Sequence, residues 1–372
     1  MKIKDLGEFG LIEHLRRKLS TSNHQPSTVF KGIGDDTAVI KTSGAKHLLW
    51  TTDIMIENVH FFHPSHLQKL CTLYPVLRTL PFMLGWKALA INLSDIASMG
   101  GIPKYALVTL GLTGKEDVKF IDELYDGMRA VGSRRLQPAQ NAVQIVGGDT
   151  TRSPVLVIDV TVIGEVEKKN LLPRSAAKPG DIICVTGCCG DSAAGFEIVK
   201  NVVRRPHSVS RAAGCINNER RATSDEYYLI SRHLMPTPRL KEARVLTKNN
   251  FVNAMIDSSD GLMVSVDLLC KASGFGAKMY GSKIPVSKQL NNVAKNLNQH
   301  VSRFYFSGGE DYELVFTVPK NKLSKVLSLV PKKTGTKITA IGEITDTKEI
   351  SVIGVSGKKI PVSKLGFDHF KR

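Results

Sequence analysis

Carboxylates recur in this chain beside small residues. They stand in Gly32-Ile33-Gly34-Asp35-Asp36, Thr51-Thr52-Asp53, Gly147-Gly148-Asp149, Asp257-Ser258-Ser259-Asp260-Gly261 and Ser307-Gly308-Gly309-Glu310-Asp311. Most of these stretches follow an apolar run. Glycine lets the backbone approach a ligand closely and frees N–H groups that can cradle phosphate oxygens. Aspartate and threonine oxygens are hard ligands of the kind Mg²⁺ takes, usually with phosphate completing the shell. Along a strand entering Thr51-Thr52-Asp53, Thr51 and Asp53 project to one face. If the acids converge, their mutual repulsion raises their pKa values unless cations sit between them. The pattern therefore points to divalent metals and phosphate. Each stretch taken alone reads equally well as an ordinary Asp-Gly turn.

Other chemistries are excluded by what the sequence lacks. There is no GxxxxGK[ST] and no HRD or DFG set, which removes P-loop ATPases and protein kinases. Among 372 residues, 51 basic against 34 acidic side chains give a charge of +17, attractive to anions in general. No nucleic-acid motif accompanies that charge and aromatics are only 6%, so a basic soluble surface is expected and no nucleic-acid partner. Cys71, Cys184, Cys188, Cys189, Cys215 and Cys270 show no paired spacing, which suits a reducing cytosol. The most apolar window, residues 67–84, is interrupted by Lys69, Pro75, Arg78 and Pro81 and is no spanning helix. Met1-Lys2-Ile3-Lys4-Asp5 lacks the apolar core of a signal peptide. A cytoplasmic protein with no membrane association is expected.

The elements that must position the acids follow from periodicity. Strands are expected at 37–40 and 48–53 around a Ser43-Gly44 turn. A helix over 86–99 carries the stripe Leu89, Leu93, Ile96 and stops at Gly100-Gly101. Asp95 lies near its C-terminal end, where the helix dipole disfavours a carboxylate; cation ligation is one reason for an acid there, a solvated surface position the other. A strand at 105–112, a helix at 118–131 and strands at 143–146 and 155–166 complete a first domain, residues 1–168, with a sheet and helices on one face. Lys168-Lys169-Asn170 marks the boundary to a second domain, residues 169–372. Strands are expected there at 182–186, 254–256, 312–318, 338–344 and 350–355, with helices at 191–199 and 262–272. Residues 61–85, with Pro64, Pro75 and Pro81, read as irregular, and residues 204–224 as a polar, basic excursion.

In order along the chain, specific strings resemble the thiamine-monophosphate kinases, a family of the ATP-binding superfamily that includes aminoimidazole ribonucleotide synthetase. They are Gly7-Glu8-Phe9, the first two acidic stretches above with His60-Phe61, residues 90–100 (AINLSDIASMG), Gly147-Gly148-Asp149-Thr150-Thr151-Arg152 and Arg174-Ser175 with Lys178-Pro179-Gly180-Asp181. Gly190-Asp191-Ser192, Pro236-Thr237-Pro238-Arg239, residues 256–262, residues 307–314 and Gly366-Phe367-Asp368-His369-Phe370 follow. The resemblance implies transfer of the γ-phosphoryl group of ATP to thiamine monophosphate. It implies Mg²⁺ on Asp36, Thr51, Asp53, Asp95, Asp149, Asp257 and Asp260. It implies nucleotide contacts from Gly148, Asp149, Arg174, Ser259 and Tyr125, and acceptor contacts from His60, Glu310 and Phe367. It further implies an α+β/α/β two-domain fold. The N-terminal mixed sheet would close a barrel with that of a second subunit in a homodimer, and the C-terminal domain would be a two-layer α/β sandwich.

Rivals within the superfamily fit less well. A selenophosphate synthetase needs a reactive cysteine near the N-terminus, yet none precedes Cys71, and the hydrogenase-maturation relative carries a C-terminal cysteine where this chain has Phe370-Lys371-Arg372. Aminoimidazole ribonucleotide synthetase lacks the strings at 307–314 and 366–370. A rival of another class is a basic nucleic-acid-binding protein that keeps a degenerate fold. The segments 61–85 and 204–224 look longer than the family's connections, the first being a candidate lid or extra dimer contact.

Overall fold

The computed structural model describes residues 2–20, 27–75, 77–133, 142–204, 223–296, 298–354 and 357–360. The first half runs α1 (Ile3–Ser20), β1 (Val29–Lys31), β2 (Ala38–Lys41), β3 (Lys46–Ile56), α2 (Pro64–Leu73), α3 (Leu80–Ser98), β4 (Ile102–Leu112), α4 (Val118–Val131), β5 (Gln144–Arg152) and β6 (Val157–Glu167). Its strands form one mixed sheet in the order β1-β2-β3-β6-β4-β5, in which only β4 and β5 pair in parallel. The sheet is open, with β1 and β5 at its edges, and not a barrel closed within one chain. On β3, His47, Leu49 and Met55 turn inward and are buried, whereas Trp50 and Ile54 face out and are each 47% exposed. That alternation sets Thr51 and Asp53 on the inner face.

Helix α3 covers this inner face, and α4 packs on it so closely that glycine is required at the crossing. A Cβ on Gly85 would lie 1.8 Å from the Leu124 carbonyl oxygen, and one on Gly127 would lie 1.9 Å from that of Phe82. α3 is buried on nearly all sides and is mostly apolar, with Lys87, Asn92, Ser94, Asp95 and Ser98 as its polar positions.

Residues 61–85 differ from the irregular connection expected. They contain α2 and the start of α3. Pro64 is the first residue of α2 and Pro81 lies in the first turn of α3, where a missing N–H costs no helical hydrogen bond. Leu67, Leu70, Tyr74, Leu77, Leu80 and Met83 are buried, so this segment is core. The second difference is at Asp149, which stands inside β5 and not in a turn. Gly147-Gly148 follows a register shift in the β4–β5 pairing.

The second half runs β7 (Ile182–Thr186), α5 (Asp191–Arg204), α6 (Ser224–Leu234), α7 (Leu240–Lys248), β8 (Ala254–Asp257), α8 (Leu262–Ser273), β9 (Gly276–Tyr280), α9 (Lys288–Asn296), α10 (Ser302–Ser307), β10 (Leu314–Val318), α11 (Leu323–Thr334), β11 (Ile338–Thr345), β12 (Ile350–Ile353) and β13 (Lys359–Ile360). Its mixed sheet has the order β13-β12-β9-β11-β7-β10-β8. The central strands β7 and β10 are mostly apolar and buried at nearly every position because both faces are covered. Cys184, Met255 and Phe316 enter an apolar cluster continuous with the first half, while Ile183, Val185 and Ile256 enter a second one with Leu262, Met263, Val266 and Leu269 of α8. Among the described residues no helix is long and apolar enough to cross a membrane.

Candidate active site

The last turns of α3 form the seam between the halves. Thr51 Oγ1 donates to Asp95 Oδ2 at 2.5 Å, and the charge of Asp53 acts on the same carboxyl group. One residue back on α3, Ser94 Oγ donates to Asp257 Oδ2 at 2.6 Å, at the end of β8. The turn after β1 brings in Asp35 and Asp36. Arg174 from the segment joining the halves pairs with Asp36 and lies 3.4 Å from Asp35 Oδ1. Lys31 lies 3.1 Å from Asp35 Oδ2.

Burial is the main cause that raises the pKa values of Asp36, Asp53, Asp95 and Asp257. It pushes Asp53 to about 6, helped by Asp159 and Asp36, and Asp257 to about 8, helped by Asp36 and Asp53. Asp95 is pushed well up by burial and by Asp53, Asp257 and Asp36. Asp36 is raised by burial although Arg174 opposes it. Asp36 Oδ2 is buried without a hydrogen-bond partner among the described residues. No three of these side chains stand in coordination geometry around a common point among the described residues. In the chain alone, the hydroxyls of Thr51 and Ser94 and the cations Arg174 and Lys31 relieve the charge. The donor set is entirely oxygen, rich in carboxylate and partly unsatisfied, which is the chemistry a hard divalent cation fits.

Beside this cluster two loops interlock. The Glu310 N–H donates to the Ser259 carbonyl at 2.5 Å and the Tyr312 N–H to that of Ser258 at 3.0 Å. Gly261, at φ +105°, permits the approach, since a Cβ there would lie 2.0 Å from the Gly308 carbonyl oxygen. Asp260 and Ser259 are half-buried on this loop. Glu310 meets Lys87 Nζ of α3 at 2.8 Å and His233 Nδ1 of α6 at 3.3 Å. Burial works to raise its pKa, but the Lys87 ammonium beside it more than offsets this and holds it below the usual carboxylate range. His233 is pushed down to about 3 by burial and Lys87, so it is a neutral ring. The Phe196 ring lies 5.3 Å from that of His233, and Phe62 stacks on Phe196 at 5.9 Å. His60 Nδ1 accepts from the Ile56 N–H at 3.0 Å. The result is an ionised carboxylate set among aromatic rings, suited to a cationic aromatic group.

Asp36, Thr51, Asp53, Asp95, Asp257 and Arg174 are thus brought together, with Asp260, Ser259, Glu310 and His60 adjacent. Asp149 and Gly148 are placed apart. Two strands separate β5 from β3, a span of about 14 Å at normal strand spacing. Asp149 is exposed, its carboxylate accepting from the Thr150 N–H at 2.8 Å. Tyr125 is half-buried on α4 against the apolar core, with no hydrogen bond to the acidic cluster among the described residues. Phe367 and the string around it lie outside the described residues, as does most of 204–224. Sequence reasoning missed Lys87, His233 and Phe196. Lys87 carried a signal: it is a lone cation on an otherwise apolar helix, two turns before Asp95 and on the same side.

Comparison with known proteins places this geometry. Residues 34–166 match the AIR synthase related protein N-terminal domain and residues 178–355 its C-terminal domain. The thiamine-monophosphate kinase of Aquifex aeolicus (strain VF5) is 31% identical over 370 residues, covering 100% of both chains. That of Escherichia coli (strain K12) is 33% identical over 367 residues, covering 98% of each. A solved structure described as AaThiL complexed with AMPPCP and TMP superposes with a TM-score of 0.76 at 30% identity, covering 99% of both chains.

Proposed function

The chain belongs to the thiamine-monophosphate kinase family of AIR synthase related proteins, and we propose that it transfers the γ-phosphoryl group of ATP to thiamine monophosphate, giving thiamine diphosphate and ADP. The observation that carries this reading is a juxtaposition. Buried carboxylates from both halves of the chain face one another across α3. An ionised Glu310 near aromatic rings meets Lys87 of the same helix, about 12 Å along it from Asp95. The first suits phosphate and metal, the second a cationic ring.

The acceptor is already a phosphate monoester, so its attacking oxygen is an anion and needs no strong general base. The obstacle is bringing two polyanions together, and positioning supplies most of the catalysis. Asp36, Thr51, Asp53, Asp95, Asp149, Asp257 and Asp260 are assigned to hold Mg²⁺. Bound Mg²⁺ neutralises phosphate charge and aligns attacking and leaving oxygens. Gly148, Asp149, Ser259 and Tyr125 are assigned to the nucleotide together with Arg174, whose guanidinium can grip phosphate as a fork once released from Asp36. Glu310, His60 and Phe367 are assigned to the acceptor. Residues 1–168 and 169–372 act as two domains that close the site between them.

A homodimer accounts for the exposed outer sheet face, where Trp50, Ile54, Tyr105, Leu107 and Val146 are all at least 40% exposed. A second subunit on that face would pair the open β5 edge and enclose Asp149. Scattered cysteines and the absence of a nucleic-acid motif fit a cytoplasmic enzyme without nucleic-acid or membrane partners.

The test is turnover of Mg·ATP with thiamine monophosphate, thiamine and unrelated phosphomonoesters. Thiamine diphosphate and ADP should form one for one, and only from thiamine monophosphate. ADP without thiamine diphosphate would overturn the assignment, and steeply salt-dependent nucleic-acid affinity without turnover would favour the binding-protein rival.

A further inference from the structure

Left-handed backbone singles out one tripeptide. Five non-glycine residues among those described have positive φ: Asn58, Asn250, Asn298, Glu310 (φ 61°) and Tyr312 (φ 51°). Asparagine tolerates that region, whereas a glutamate and a bulky tyrosine do so only when their surroundings force them. The forcing groups are visible. Asp311, between the two, is buried and accepts from the N–H groups of Gly190 at 2.6 Å and Ser192 at 3.0 Å. Glu313, fully buried, accepts from Arg239 at 2.5 Å and 2.6 Å, from Arg232 at 2.8 Å and from Thr186 at 2.6 Å. Asp311 and Glu313 therefore anchor the segment in the second half, and Glu310 and Tyr312 are presented to the seam.

We propose that Tyr312 is a substrate-contacting residue of this site, its hydroxyl donating a hydrogen bond to the phosphate group of the acceptor. The proposal rests on the reading of Glu310 as facing the acceptor's cationic ring. The Tyr312 ring is only 7% exposed, and its hydroxyl has no hydrogen-bond partner among the described residues. Its N–H is bonded to the Ser258 carbonyl, between Asp257 and Asp260 along that loop, and Glu310 stands two residues before it in the chain. It thus stands between the ring end of the site and the acidic end. In a ring-bearing phosphate monoester, the group lying between the ring and the incoming phosphoryl is its own phosphate. The carboxylates around that point can only accept once ionised, and Arg174 is held by Asp36 and Asp35. A phenol, protonated at neutral pH, supplies a donor that phosphate oxygens need. Packing alone would be satisfied by phenylalanine, so the hydroxyl is the part to remove.

The experiment measures binding of thiamine monophosphate and of unphosphorylated thiamine to the full chain and to Tyr312→Phe by calorimetry, with steady-state kinetics alongside. Wild type should prefer the phosphorylated ligand. Tyr312→Phe should lose about 10-fold or more of that preference, as expected for a hydrogen bond to a charged group. Its affinity for thiamine and its KM for ATP should be unchanged within about 2-fold, and kcat/KM for the acceptor should fall by at least the same factor as the preference. The preference is a ratio measured on one sample, so partial loss of folded protein leaves it intact. An unaltered ratio, or equal losses for both ligands, overturns the proposal. If wild type binds neither ligand, the acceptor assignment itself fails, and that result is distinct.

Discussion

Asp257 and Asp149 follow similar sequence, an apolar strand leading to a carboxylate with a hydroxyl residue next to it, and reach opposite environments. Both stand on edge strands, β8 at one end of the second sheet and β5 at one end of the first. The edge at β8 is covered by α3, and Asp257 is buried, hydrogen-bonded to Ser94 and raised to about 8 by burial and by Asp36. Among the described residues the edge at β5 is uncovered, and Asp149 is exposed and bonded to its neighbour's N–H. The covering element decides whether a carboxylate stores electrostatic repulsion that a cation can relieve. In the proposed homodimer both acids serve one reaction, and the β5 edge is where the second subunit would contribute.

The largest expected effect lies on the covered side. Asp53→Asn should lower kcat by about 10³-fold or more, as loss of a metal-binding anion in a preorganised site does. It should also raise the melting temperature of the Mg²⁺-free protein at pH 8, because a repelling charge has gone. Activity loss accompanied by destabilisation would mean that Asp53 is structural. On the uncovered side, Asp149→Asn should cost about 10²-fold in kcat while leaving the melting temperature unchanged, since exposed substitutions rarely shift stability by more than about 0.5 kcal/mol. Wild-type kcat in this variant would remove Asp149 from the site. A smaller effect tests the link between the two regions. Leu107→Glu, on the exposed outer face, should convert a dimer to a monomer in sedimentation and lower activity about 10-fold, because a charge desolvated at an apolar interface opposes association. A monomeric wild type would break the proposed enclosure of Asp149.

What the chain discloses unaided follows the same division. Asp36, Thr51, Asp53, Asp95 and Asp257 were readable because small flanking residues, strand alternation and an acid misplaced on the helix dipole are local signals. Lys87 and His233 were not, because their importance lies in contact with Glu310, remote along the sequence and next to them only after folding. Residues 61–85 were misread because prolines were taken as breakers when two of them begin helices. Asp149 was assigned to a turn because Gly147-Gly148 reads as one, yet the pair sits within a strand beside a register shift. Most strands were readable from periodicity, as were α3, α4, α5 and α8, whereas α2, α6, α7, α9, α10 and α11 were not. The cover that each edge receives was not, since it depends on how the halves dock.

The most direct test of stored repulsion is melting temperature against pH with and without Mg²⁺, in wild type and Asp257→Asn. Asp257 has a folded pKa raised from 3.8 to about 8, so the folded chain holds a proton that the unfolded chain has released across that window. Stability contributed by this group is therefore present at low pH and lost as pH rises toward about 8. Wild type without Mg²⁺ should lose melting temperature over that range relative to Asp257→Asn, and saturating Mg²⁺ at pH 8 should restore it in wild type alone, by binding the folded state. Parallel pH curves for the two proteins, with no response to Mg²⁺, would contradict a cation site built from these buried acids.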